Sequence, residues 1–321
     1  YCHVSANFRY GFCSLMTEFA SYLSQHSWLF ITLVAAISLL IGSFLNVLVY
    51  RLPKMMEREW QQEYQAYFQP DAVASTNKAG AANAPAANDK PERFNLAVPR
   101  SRCPKCNTPI AARDNIPVLS WLLLKGRCRH CKAPISSRYP AVEASTAIMS
   151  ALVAWQYGFG TLALVLIFVT WGLIALSFID IDTMLLPDSL TLPLLWLALV
   201  FSLSGSALVN PAQAIIGAAA GYLSLWLVYW GFKLLTGKEG MGYGDFKLLA
   251  IFGALLGWQQ LPLIILLSSL VGAVIGATML AIQGRDKATP IPFGPYIAAA
   301  GFIALLWGEQ LTNAYLSYLG G

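Results

Sequence analysis

Beyond Tyr139-Pro140 the chain is almost continuously apolar, interrupted only at short polar or Gly/Pro breaks. Backbone amides and carbonyls in hydrocarbon must be satisfied within their own segment, so apolar runs of this kind are read as membrane-crossing helices. Division at the breaks gives seven spans, approximately 141–157, 161–179, 190–208, 212–235, 246–257, 261–282 and 293–311, of which 246–257 is short. A further span, Trp28 to Tyr50, precedes them and ends at the basic stop Arg51-Leu-Pro-Lys54. Only 12% of the 321 residues are charged, against roughly a quarter in soluble domains. The expected fold is an all-α polytopic membrane protein of about eight transmembrane helices.

Between the first span and the rest lies a long polar segment that carries 15 of the 21 Lys and Arg residues, from Arg51 to Arg138. The positive-inside tendency makes this segment cytoplasmic. Threading eight spans then places Lys233, Lys238, Lys247, Arg285 and Lys287 on the same face and leaves only Arg9 outside. Residues 1–27 are thus read as an N-terminal periplasmic segment, 28–50 as the first transmembrane helix, 51–139 as a cytoplasmic domain and 140–321 as a seven-helix membrane core. Met55 to Gln69 reads as a surface helix, and the Ala/Asn/Pro-rich stretch over 70–92 as a disordered insertion.

The same domain holds Cys103-Pro-Lys-Cys106 and Cys128-Arg-His-Cys131, with 21 residues between the pairs. Two CxxC pairs in a basic, reducing segment suit a zinc-ribbon-like site, although the separation slightly exceeds the usual range of roughly 15–20 residues. Four thiolates leave no open coordination position, so one Zn2+ held by Cys103, Cys106, Cys128 and Cys131 would be structural. Thiol redox chemistry is the alternative, and His130 is a substitute ligand in principle. Cys2 and Cys13 belong to no motif. The apolar Val118 to Leu124 is too short to span and is expected to pack on the ribbon or dip into the membrane interface.

Threading also brings the end of the third span, Phe178-Ile-Asp180-Ile-Asp182, to the same depth as Gly244-Asp245 at the start of the sixth. Carboxylates at a membrane boundary are costly unless paired or employed, which makes Asp180 and Asp245 site candidates. The plain alternatives are acids in headgroup water, with Asp188 capping the next helix beside Ser189. For Asp245 the alternative is a helix-dipole contact of about 0.3–1 kcal/mol. That contact does not explain Gly237, Gly240, Gly242 and Gly244 ahead of it; Gly242 and Gly244 would leave room for a substrate strand. Two converging acids suit aspartic-protease chemistry, in which one takes a proton from water while the other gives one to the substrate. The pair titrates as a unit, so neither is assigned as acid or base. Asn46 is expected to make a packing hydrogen bond between helices, and Glu143 to lie near Arg138 as its partner. A proton-coupled transporter would need acids spread through the membrane depth. A non-catalytic assembly factor, with the ribbon as docking module, is the third reading. Membrane lipid is an expected partner and nucleic acid is not.

These residues together resemble the bacterial type IV prepilin peptidases, GxGD-type aspartyl proteases also called prepilin leader peptidase/N-methyltransferases. The resemblance runs from about Met16 to the C-terminus. It rests on Gly42-Ser-Phe-Leu-Asn46 with Arg51-Leu-Pro53, the two CxxC pairs, and Arg138-Tyr-Pro140 with Glu143. It continues with Ile179-Asp-Ile-Asp182 through Asp188, Gly240-Met-Gly-Tyr-Gly-Asp245-Phe-Lys247, and Pro290-Ile-Pro-Phe-Gly-Pro295. It implies that Asp180 and Asp245 are the catalytic pair and that the substrates are the basic leader peptides of type IV prepilins and type II secretion pseudopilins, cut at the cytoplasmic face of the bacterial inner membrane. It further implies methylation of the new N-terminal residue from S-adenosylmethionine, and association with pilus or secretion assembly machinery. The cysteine-bearing domain is associated with that step, with Gly126 and Glu143 as candidates. The long insertion and the residues before Met16 are departures that touch no motif.

Overall fold

The structure is a computed structural model describing residues 18–68, 94–238, 240–283 and 291–320. The insertion expected over 70–92, Cys2 and Cys13 lie outside the described residues. A short helix over residues 18–25 precedes eight long ones, named here α1 (Ser27–Phe68), α2 (Arg138–Tyr157), α3 (Thr161–Thr183), α4 (Asp188–Phe201), α5 (Pro211–Thr236), α6 (Tyr243–Leu256), α7 (Leu261–Gln283) and α8 (Gly294–Gly320). No strand forms among the described residues, only two isolated bridges in the segment between α1 and α2. Among the described residues, four segments are long and apolar enough to cross a membrane: α1, α3, α5 and Trp258–Met279, which includes most of α7. Helices α4 and α6 have only 14 residues each, about 21 Å. Helices α2 and α8 are longer but less apolar.

Helix α6 is the centre of the bundle. It is apolar nearly all round, the pattern of an enclosed helix, and ten of its 14 residues are buried. Helices α4, α5 and α8 pack around it, while α1 lies on α2 and α3. A smaller cluster of Leu45, Val49, Val142, Ile174, Ala175 and Ile179 seals that second group. The α5–α6 contact is backbone to backbone. A Cβ on Gly253 would stand 2.0 Å from Gly217 O, and one on Gly221 would stand 2.8 Å from Leu249 O. Small residues permit such close approach where no hydrophobic drive distinguishes lipid from protein.

Polarity is inverted relative to a water-soluble bundle. Ser38, Thr146, Ser150 and Thr170 are buried, whereas Leu164, Phe168, Leu227, Leu266 and Val274 face outward. Trp171 Nε1 donates to Ser150 Oγ at 2.9 Å and to Ser38 Oγ at 3.2 Å, tying α3 to α2 and α1.

Two boundaries differ from the sequence reading. The first helix does not stop at Arg51-Leu-Pro-Lys54; it runs through Pro53 to Phe68 as one element. Pro53 cancels one ladder bond, but the following Met, Glu, Gln and Ala residues are good helix formers and resume the ladder at once. Helix α4 ends at Phe201 rather than near residue 208, where Ser202-Leu-Ser-Gly-Ser206 turns away. The next start is well specified: Asn210 Oδ1 accepts the Gln213 amide at 2.9 Å, and Pro211 occupies the first helical position.

Candidate active site and metal centre

Helix α3 is apolar down to Ile179 and closes through Met184, which adopts a left-handed conformation (φ 54°, ψ 33°) and returns its amide to Asp180 O at 2.8 Å. That cap sets Asp180 in the last turn, where it is only 5% exposed. Asp180 Oδ2 accepts the Gly294 amide, at the start of α8, at 3.0 Å. Asp245, in the first turn of α6, is 6% exposed. Its Oδ1 is buried and has no hydrogen-bond partner among the described residues.

The ends of three helices meet around one side chain. A Cβ on Gly244 would fall 2.5 Å from Leu186 Cβ, and one on Gly294 would fall 3.2 Å from Leu186 Cδ1. Leu186 therefore touches both the residue before Asp245 and the residue that bonds Asp180. The two carboxyl groups lie within electrostatic reach of one another, and neither is paired with a basic side chain among the described residues. Two buried acids so placed cannot both ionise cheaply and are suited to share a proton. An unpartnered buried acceptor such as Asp245 Oδ1 is the exception that calls for a donor.

The neighbouring cations are committed elsewhere. Arg138 NH1 lies 2.6 Å from Asp182 Oδ1, and its NH2 donates to Phe178 O at 3.3 Å. Arg138 is thus the partner of Asp182 and not of Glu143, because its side chain reaches across to the end of α3. Lys247 Nζ lies 2.5 Å from Asp188 Oδ1. Asp188 is the first residue of α4 and makes no cap; Pro187 precedes it. Glu143 is buried, and its Oε2 accepts the Val118 amide at 2.7 Å. Asn46 Nδ2 donates to Tyr139 O at 3.1 Å, joining α1 to the start of α2.

The two glycines expected to leave substrate room part company. Gly242 has ordinary backbone angles (φ −82°), and a Cβ there would meet, among the described residues, only Asp245 Oδ2 at 4.0 Å, which leaves that side of the dyad open to them. The room at Gly244 is filled by Leu186. Sequence reasoning gave no task to Leu186 or Gly294. The available signal was Pro292-Phe-Gly-Pro295, a glycine wedged between an aromatic ring and the proline of a helix start.

Between α1 and α2 the two knuckles repeat with an offset of 25 residues. Cys103 N bonds Thr108 O, Asn107 N bonds Cys103 O, and Ile110 N bonds Ser101 O. The second set is Cys128 N to Ala133 O, Lys132 N to Cys128 O, and Ile135 N to Gly126 O. Asn107 and Lys132 occupy the same left-handed corner, at φ 57° each. The four ligand atoms all fall within 4.8 Å of one another, with Cys103 Sγ to Cys131 Sγ 3.8 Å and Cys106 Sγ to Cys128 Sγ 4.0 Å. A tetrahedron with metal–sulfur arms of about 2.3 Å has edges of about 3.8 Å, so the set fits a single ion. Hydrogen bonds from the Thr108 side chain and backbone bring the Cys106 thiol down to about 6. The Cys131 and His130 amides lower Cys128 as well. Thiolate is the ligating form.

Gly126 has φ +64°, and a Cβ there would meet Trp121 Cζ2 at 2.9 Å. Trp121 Nε1 in turn donates to Ile135 O at 3.2 Å. Gly126 is the turn that seats this indole against the second knuckle. Arg129, inside that knuckle, grips Asp114 with Nε 2.9 Å from Oδ1 and 3.0 Å from Oδ2.

The profile of the Bacterial Peptidase A24 N-terminal domain matches residues 36–157, and that of the Type IV leader peptidase family matches residues 166–277. The chain is similar to the prepilin leader peptidase/N-methyltransferase of Aeromonas salmonicida, at 59% identity over 90% of this chain and 95% of that protein. The protein of the same description from Pseudomonas aeruginosa is 51% identical over 93% of this chain and 98% of its own length. The one from Neisseria gonorrhoeae is 47% identical over 92% and 96%. No solved structure matches.

Proposed function

The chain belongs to the type IV leader peptidase family, and from that premise we propose that it cleaves the leader peptides of type IV prepilins and methylates the N-terminus so exposed. Type II secretion pseudopilins are substrates of the same kind. The reaction is endopeptidase cleavage by Asp180 and Asp245. One carboxylate takes a proton from the attacking water while the other, protonated, gives its proton to the carbonyl oxygen; on collapse of the intermediate the first passes the proton it took to the leaving amine and the second recovers one from the diol hydroxyl. The observation that carries the reading is the meeting of two buried, cation-free acids from distant helix ends, beside the open face at Gly242.

All eight helices would belong to the membrane domain, in the bacterial inner membrane with the dyad at the cytoplasmic face. In support, Arg138, Lys247 and the dyad lie at the same helix ends, and the cysteine domain leaves from that end. Acids gathered at one end disfavour a proton relay, which would need them spread through the depth. Zn2+ is the ion best matched to the four cysteines, where it would hold the knuckles together without an open position for substrate. S-adenosylmethionine is the methyl donor, supplying a methyl group for the new amine. Gly126 and Glu143 act in that step by shaping the cysteine domain, because both are occupied in packing and hydrogen bonds.

The test is leader cleavage of a prepilin by the purified, detergent-solubilised protein, followed by mass. Asp180→Asn or Asp245→Asn lowers cleavage by about 10²–10⁴-fold, while metal content and methylation of an already cleaved peptide persist. Cleavage surviving in either variant would remove the dyad assignment.

A further inference from the structure

The Ile291-Pro-Phe-Gly294-Pro295 stretch is a sequence motif to which dyad chemistry gives no task, and Leu186 is an apolar residue at the centre of a polar site. Geometry supplies a role for both. A carboxylate at a helix end has two free torsions, and proton transfer requires its oxygens in fixed positions. The Gly294 amide belongs to the first turn of α8, whose N–H groups have no intrahelical partner. Its bond to Asp180 Oδ2 at 3.0 Å therefore satisfies an orphan donor and fixes one oxygen of the acid. A Cβ at the same residue would press to 2.7 Å from Asp180 Oδ2, so a side chain there displaces the carboxyl oxygen from its place. Leu186 fills the space between this glycine and Gly244, touching both. It thereby spaces the start of α8 from the start of α6, which carries Asp245.

We propose that Gly294 and Leu186 are positioning residues for the reaction: the Gly294 amide orients the Asp180 carboxyl, and Leu186 sets the separation between the start of α8, which holds Asp180, and the start of α6, which carries Asp245. The proposal rests on the reading of Asp180 and Asp245 as the catalytic pair. Residues that act by placing the two acids change turnover rather than substrate binding when they are altered.

The experiment measures kcat and KM for prepilin cleavage by Gly294→Ala, Leu186→Ala, Leu186→Met and Asp180→Asn, with thermal unfolding and metal content followed in each. A displacement of the acid by about 1 Å is expected to lower kcat by about 100-fold in Gly294→Ala with KM near that of the parent. Leu186→Ala, which introduces no clash, should also lose kcat at unchanged KM, and Leu186→Met, of similar volume, should restore most of it. Parent-like kcat in a folded Gly294→Ala protein overturns the proposal, as does a change confined to KM or to thermal stability. Should Gly294→Ala fail to fold, Leu186→Ala decides in the same terms. Asp180→Asn separates the two levels: cleavage surviving there overturns the dyad itself, whereas an inactive Asp180→Asn beside fully active Gly294→Ala and Leu186→Ala overturns the positioning roles alone.

Discussion

At Val118 the backbone stands at φ 58°, ψ −50°, and the Leu119 amide turns back to Pro117 O. This is a γ-turn of the rare left-handed kind, centred on a β-branched residue, and such conformations cost about 1–3 kcal/mol each. What holds it is Glu143, whose carboxylate takes the Val118 amide from within α2. Glu143→Ala is expected to release about 1–3 kcal/mol of that restraint, read as faster limited proteolysis between Ala111 and Lys125. Glu143→Gln keeps an oxygen acceptor and should resist like the parent; equal rates in all three proteins would deny Glu143 this role. Sequence could show that Glu143 was an acid at the edge of an apolar span, but not which of Arg138 or a backbone amide would claim it. Asp180 and Asp245 were legible because acids beside apolar runs stand out. Leu186 and Gly294 were not, because a leucine among leucines and one glycine of 25 show their task only once three helix ends are brought together.

Among the elements, the pairing of α5 with α6 fixes the position of Asp245. A Cβ on Gly253 would stand 2.0 Å from Gly217 O, so Gly253→Val must force the helices apart. The expected cost is about 3 kcal/mol or more, together with loss of cleavage, measured by thermal unfolding in detergent and by prepilin processing. A stable, active Gly253→Val protein would show that the pair can slide without moving the dyad. The apolar runs place the starts of α5 and α6 at 212 and 246, within about three residues of Pro211 and Tyr243. The end of α1 was not legible: basic residues and a proline signal a stop at the membrane edge, yet helix propensity beyond them carries the same helix onward. Likewise the short α6 read as a doubtful span because length was weighed against a bilayer, when its sequence records enclosure by other helices.

For the molecule as a whole, the cysteine domain and the bundle are held together by side chains rather than by a continuous core. Arg51 NH1 donates to Asn95 O at 2.8 Å and to Leu96 O at 3.3 Å, and its NH2 to Pro99 O at 2.5 Å. Glu143 makes the second tie. Removal of the metal by a chelator, or Cys106→Ser, is therefore expected to loosen residues 101–135 while the helices keep their thermal transition, as read by proteolysis and circular dichroism; a fall in the helical transition itself would mean that the knuckles brace the bundle. The 42 residues of α1 make a rod of about 63 Å, roughly twice the hydrocarbon thickness, with its one missing ladder bond at Pro53. Arg51 moors the segment 94–99 on the N-terminal side of that joint. In mechanical terms the outer third of the rod is a boom with one stay: Arg58 lies over the Phe94 ring at 4.1 Å, so bending at Pro53 must either slacken that contact or carry the mooring of the cysteine domain with it.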